Sequence, residues 1–245
     1  MKPEKLSIFS ITIALAVMVV ATGAPQARSV EFGKDKVAEA ASQSAKAAKA
    51  FDTIMQVPDK AIPQSLLSKA KAIAVFPQVI KVALNVGGEG GRGVVSRRVA
   101  DGWGSPVFIR GGGASVGPQI GASATDFVLL LMNDEAVNGL MKDKFELGGE
   151  ASIAAGPVGR NASAGTDALM QAEILSYSRS RGIFAGFNLK GVVLKPEDDL
   201  NVAVYNKTAR ELLGDQVSGD ASPESDLKAF PQTLGRYANN STDQR

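Results

Sequence analysis

Residues 85–98 read NVGGEGGRGVVSRR, and Gly88, Gly90 and Gly93 stand in them at the spacing G-x-G-x-x-G. In a dinucleotide fold such glycines lead from a strand into a helix whose N-terminus faces a pyrophosphate. Here the chain continues as Val94, Val95, Ser96, Arg97, Arg98 and Val99, which is β-branched and alternating, so no helix begins. No convincing βαβ unit follows, and the phosphate-cradling pattern G-x-x-x-x-G-K-[ST] is absent from the chain. The stretch reads as a glycine-bent β-hairpin, not a nucleotide loop.

The same texture extends on both sides. AIAVF, VIKVALNV, GVVSRRV, SPVFI, TDFVLLLM, EASIAA, AEILSYS and GIFAGFNLKGVVL are strand-like segments punctuated by glycine. Asp101-Gly102 and Arg181-Gly182 are turn-like pairs that predict hairpins. Glycines at 87, 88, 111–113, 148 and 149 predict the bulges and kinks that let a sheet curl. The expected fold is α+β: a glycine-bent antiparallel sheet closing into a barrel or flat sandwich, with peripheral helices.

Helices are expected around it. Residues 28–51 are rich in Ala, Lys, Ser and Glu and lack Pro, and Phe51, Ile54 and Met55 form an i, i+3, i+4 cluster that docks the C-terminal end. A weak membrane-surface helix carrying Lys36, Lys46 and Lys49 is the alternative there. Ile62-Pro63 starts a short second helix. Asn133 is an expected N-cap for a helix over 133–144, Asp199 for one reaching Tyr205, and Thr208 with Glu211 has capping-box spacing.

Composition excludes much chemistry. The 245 residues contain neither Cys nor His, so thiolate or imidazole metal sites and Cys-His or Ser-His-Asp nucleophiles cannot be built. Ser68 and Lys71 match S-x-x-K, but the partner motifs of that chemistry are missing. Formal net charge is only +2, too small for a polycation that coats nucleic acid, and no nucleic-acid partner is expected. The charge is nevertheless uneven: residues 34–98 hold 11 Lys or Arg against 5 Asp or Glu, and residues 197–226 hold 2 against 8. The first stretch suits an anionic surface; two differently charged solvated faces are the plainer alternative.

The N-terminus carries Lys2 and Lys5, then the almost wholly apolar run 6–21, then the small residues Thr22, Gly23 and Ala24. That is the layout of a secretory signal peptide, with an uncleaved anchor as the alternative. The expected organisation is a signal peptide over 1–24, an N-terminal helical segment over 25–50, a binding domain over 51–214 and an acidic, partly disordered tail over 215–245. The expected location is exported, periplasmic or peripheral on an envelope membrane.

Four longer blocks carry a resemblance: AKAIAVFPQVIKVALNVGGEGGRGVVSRR (70–98), DGWGSPVFIRGGGASVGPQIGASATDFVLLLMN (101–133), LGGEASIAAGPVGRNASAG (147–165) and SYSRSRGIFAGFNLKG (176–191). In content and order they resemble the SYLF domain, a lipid-binding domain found in bacterial exported proteins and eukaryotic actin-associated adaptors. The resemblance implies non-catalytic binding of anionic phospholipid, with no cofactor. The alternative is a structural or protein-interaction module of the envelope that docks an acidic partner. Cations in or beside the matched blocks are the candidate lipid contacts: Lys69, Lys71, Lys81, Arg92, Arg97, Arg98, Arg160 and Lys190. Trp103, at the Asp101-Gly102 hairpin tip, is either an indole for the head-group layer or a core plug.

Overall fold

The computed structural model describes residues 26–56, 61–158, 171–180, 183–186, 189–214 and 225–238. The expected signal peptide, Arg160 and the Arg181-Gly182 turn lie outside the described residues.

Two strands dominate. β1 (Ala72–Val99) is 28 residues long and β3 (Val107–Leu131) is 25. They pair antiparallel from Ala72↔Leu131 to Val95↔Val107. A strand of that length would measure about 90 Å if straight, several times the radius of gyration of about 18 Å expected for a compact chain of this size. The ribbon must therefore turn back on itself. It does so: the Arg98 amide donates to the Lys71 carbonyl at 2.7 Å, joining the two ends of β1.

The glycines that the sequence marks as bulges take a different part in this fold-over. The register shifts fall at Phe76/Val79 and Leu84/Val86, whereas Gly87, Gly88 and Gly111 to Gly113 pair without interruption. At the first shift Gln78 takes φ 52° and its amide donates to Asp126 Oδ1 at 2.9 Å. The glycines act by removing side chains where the two halves of the ribbon meet. A Cβ on Gly93 would lie 2.5 Å from the Phe76 ring, and one on Gly91 would lie 2.7 Å from Val79. The segments that sequence reading separates, AIAVF, VIKVALNV and GVVSRRV, are consequently one continuous strand.

The remaining strands are β2 (Gly102–Trp103), β4 (Phe145–Glu146), β5 (Ile153–Ala155), β6 (Ile174–Ser180), β7 (Ile183–Gly186) and β8 (Val193–Pro196). They complete an eight-stranded, strongly curled half-barrel in which β6 and β8 share the second edge of β3. Pairing is antiparallel throughout, apart from β5 with β6 and an isolated Leu147↔Ala151 bridge. The Asp101-Gly102 hairpin forms as expected, with Arg98↔Trp103 and Val99↔Gly102 opposed.

Both faces of the sheet are buried, which explains the unbroken apolar run FVLLL at 127–131. Ile73, Val75, Val94, Phe108, Val128 and Leu130 face one core, closed by α1 (Gln26–Met55), α2 (Gln64–Leu67), α4 (Asp198–Tyr205) and α6 (Ala229–Ala238). Phe76, Ile109, Phe127 and Leu129 face the other, closed by α3 (Asp134–Gly139) and α5 (Ala209–Leu213).

Two caps follow the sequence reading. Asn133 accepts from the Ala136 amide at 2.9 Å, although α3 stops at Gly139 rather than near 144, and Thr208 with Glu211 forms the capping box of α5. Asp199 is not the cap of α4; the helix starts at Asp198, two residues earlier than an Asp199 cap would set, and Glu197 holds the N-cap position. Residues 225–238, expected within an acidic tail, fold into a 3-10 turn and α6, with Phe230 and Leu234 fully buried against α1. Likewise α1 runs across the expected boundary at residue 50, with one face buried from Ala40 onward.

Candidate functional site: a basic groove at the ribbon seam

Where the two ends of β1 meet, the fold-over gathers cations that are 26 positions apart in sequence. Lys71, Arg97 and Arg98 line one open groove of about 400 Å³ with Val99, Ala100, Asp134 and Gly214. Lys69, exposed in the turn just before β1, lies two residues from Lys71.

The two arginines point to opposite faces, as strand alternation requires, and each ends on helix carbonyls. Arg98 donates to the Leu67 carbonyl at 2.8 Å and the Ala70 carbonyl at 3.0 Å, at the end of α2. Its guanidinium lies 4.4 Å from the centre of the Trp103 ring, a cation–π contact. Burial lowers the Arg98 pKa from its ordinary value, yet an arginine has ample margin to stay charged at neutral pH. Arg97 donates to the Leu213 carbonyl at the end of α5 and to Asp134 at 3.1 Å. Cations at helix C-termini are favourable, so both arginines stabilise the seam.

The lysines are freer. Lys71 reaches Asp134 only at 3.9 Å, with half its side chain exposed. No hydrogen bond or ion pair within 4 Å is made by the Lys69 side chain among the described residues. The exposed positive charge in this groove is therefore lysine charge, with Asp134 equally exposed beside it.

The other expected residues lie elsewhere. Arg92 is a clamp: it binds Glu197 through Nε and Nη2 at 2.8–3.0 Å and also binds Glu39 of α1. Hydrogen bonding to Glu197, then to Glu39, raises the Arg92 pKa despite its partial burial. Lys81 is placed by its backbone opposite Ser123. Lys190 is exposed in the turn before β8. Trp103 is half-buried beneath Arg98 and packs on the first core, so the core alternative describes it better than a free indole does. Its Nε1 is buried without a hydrogen-bond partner among the described residues.

Ser68 and Lys71 do not form the pair that S-x-x-K chemistry needs. The Ser68 hydroxyl donates to the Ser65 carbonyl at 3.2 Å while Lys71 turns toward Asp134.

A second set of cations, Arg110, Lys144 and Lys195, also lines one groove and was not among the expected contacts. These residues are far apart in sequence and lack any local pattern. Only the strand register brings them together.

A folded-over β-ribbon between two helical layers defines a single-sheet α+β domain. The chain belongs to the Ysc84/SYLF family: the family described as "Ysc84: Las17-binding protein actin regulator" matches residues 112–237. It is 40% identical over 169 residues to the SH3 domain-containing protein PJ696.02 of Schizosaccharomyces pombe, covering 66% of this chain and 39% of that protein. It is 36% identical over 203 residues to SH3 domain-containing YSC84-like protein 1 of Rattus norvegicus, covering 80% of this chain and 59% of the relative. Protein YSC84 of Saccharomyces cerevisiae is 34% identical over 165 residues, covering 65% and 35%. The chain thus spans between about two fifths and three fifths of the length of the first two.

Proposed function

We propose that this chain is an exported, non-catalytic protein that binds anionic phospholipid head groups at a membrane surface of the cell envelope. The observation that carries the reading is the basic groove at the seam, where Lys71 is exposed, Lys69 is exposed two residues away, and Asp134 is the only carboxylate lining the groove among the described residues. Each lysine near an anionic surface contributes on the order of 1 kcal/mol and loses that contribution within a Debye length. Export rests on the layout of residues 1–24. Intact mass of protein recovered from the envelope checks it, and a mass that includes residues 1–24 would favour the anchored alternative.

The binding test is sedimentation with vesicles of graded anionic content. Affinity should rise with anionic lipid and fall with salt, and Lys69→Gln with Lys71→Gln should weaken it by roughly ten- to thirtyfold, the equivalent of about 2 kcal/mol. Charge-independent binding, or none, would sink the proposal. A second reading has its own support: the family description names Las17 binding and actin regulation for its members. On that reading the same lysines dock an acidic protein segment, and vesicles would not bind at any composition.

A further inference from the structure

The strand register aligns four cations across four adjacent positions of the sheet. Arg92 on β1 stands opposite Arg110 on β3, and Arg110 stands opposite Lys195 on β8. Phe145↔Leu194 on β4 and β8 sets Lys144, one residue earlier, beside Lys195. Register partners share a face. Phe145, Leu194 and Ile109 are buried in the second core, so this row is on the opposite side, with α1.

Like charges directly opposed on a sheet are unfavourable, and the row deals with them unequally. Arg92 is neutralised by Glu39 and Glu197. Arg110, Lys195 and Lys144 are exposed, and among the described residues none of their side chains makes a hydrogen bond or an ion pair within 4 Å. Glu150, which feels the charge of Lys144, is ion-paired with Lys142 at 2.7 Å.

On one side of the row Arg110 also lines a groove with Glu197, Asp198 and Asp199; on the other side two glycines leave the centre of the sheet open. Gly112 is the next same-face neighbour of Arg110 on β3, and it stands opposite Gly90 on β1 and Val193 on β8. A Cβ on Gly90 would find nothing nearer than a backbone oxygen at 3.8 Å, and one on Gly112 nothing nearer than 3.6 Å. Arg110, Gly111, Gly112, Lys144, Val193 and Lys195 together line a groove of about 390 Å³. The glycines supply room rather than donors, since their amides lie within the paired ladder. Glu146 in β4, opposite Val193, is the one acidic residue in the next register row.

We infer that the Arg110–Lys195–Lys144 groove is the phosphate-recognition subsite for an anionic lipid head group, distinct from the lysines at the seam. This rests on the membrane reading above. A guanidinium offers a planar two-pronged donor set for phosphate oxygens, and two ammonium groups add point charges around it. The open glycine floor lets a head group approach the backbone plane. An anion bridging Arg110 and Lys195 would also remove their mutual repulsion, so the site should be less stable empty than filled.

The test compares Arg110→Gln/Lys144→Gln/Lys195→Gln with Lys69→Gln/Lys71→Gln and the parent. It uses sedimentation with phosphatidylcholine vesicles carrying graded phosphatidylglycerol, and melting temperature with and without inorganic phosphate. The triple variant should lose more than tenfold in affinity for anionic vesicles, more than the seam double variant loses. Without lipid it should melt no lower than the parent, because the three side chains hold nothing in the fold. Arg110→Lys should retain part of the binding.

Parent protein that binds anionic vesicles while the triple variant binds equally well would overturn this inference and leave the membrane reading standing. Parent protein that ignores vesicle charge would overturn both. Stabilisation of the parent by inorganic phosphate without vesicle binding would overturn the lipid assignment by identifying the ligand as a soluble anion.

Discussion

Gly93 shows how much of this fold depends on single missing side chains. A Cβ there would press into the Phe76 ring at 2.5 Å, whereas one on Gly90 would make only an ordinary contact with a backbone oxygen at 3.8 Å. Gly93→Ala should therefore destabilise by about 1–3 kcal/mol through overpacking, and Gly90→Ala should cost far less; urea midpoints of the two variants compare them directly. The sequence shows that glycine is concentrated here. Which glycines are sterically required depends on residues from the other half of the ribbon, and no local pattern carries that. Arg92 is a second case, since a cation in a basic stretch reads as a surface contact until Glu197 is found beside it, 105 positions away. Hydrogen bonding from Lys36 and then Arg92 lowers the Glu39 pKa below the ordinary carboxylate value. A depressed carboxylate stabilises fully above its unfolded pKa and loses that contribution as pH falls through the folded one. Stability should thus decline on acidification below about pH 4.5, and Glu39→Gln should flatten that decline in a series of denaturation midpoints. An equal decline in the variant would assign the acid sensitivity to other carboxylates.

Among the elements, α6 departs most from its sequence. Its apolar residues Phe230, Leu234 and Ala238 recur at i, i+4 and i+8, but Pro231 and Gly235 interrupt them and the preceding residues are acidic, so a tail is the natural reading. Docking against α1 decides the matter. The Ser44 hydroxyl donates to the Leu227 carbonyl at 2.7 Å and accepts from the Phe230 amide at 3.2 Å. Tyr237 meets Phe51 edge-on at 6.0 Å and donates to Asp52 at 2.6 Å. Phe230→Ala should cost about 3–5 kcal/mol, the range for emptying a fully buried aromatic site, seen as a large fall in melting temperature. A fall within the surface-mutation range would mean that α6 is dispensable. The Asn133 cap and the Thr208 capping box, by contrast, were legible because a cap is a short-range device whose partners lie within three residues. The α4 cap was missed because four consecutive residues, 196–199, offer a proline and three acids from which the pattern cannot choose.

At the scale of the whole molecule the chain is organised by one long ribbon that closes on itself, and the closure separates two kinds of basic residue that the sequence presents alike. The α+β class and the curled antiparallel sheet were legible from glycine-punctuated β-branched runs. The fold-over was not, because nothing local specifies that residue 71 meets residue 98. Once they meet, Arg98 bridges the Leu67 and Ala70 carbonyls over Trp103, while Lys71 remains in the open groove and Lys69, two residues away, is exposed. Removing Arg98 leaves two carbonyls and a buried indole face without their cation, so Arg98→Gln should lower stability by about 1–3 kcal/mol. Lys69→Gln with Lys71→Gln should leave stability within about 0.5 kcal/mol, as surface substitutions generally do. Vesicle affinity should move in the opposite pattern: the lysine pair should reduce it steeply at low salt, and folded Arg98→Gln protein much less. Melting curves paired with sedimentation on the same preparations read both quantities. If Arg98→Gln were fully stable yet lost binding, the guanidinium would face the membrane, and the division of the seam into structural arginine and functional lysine would be wrong.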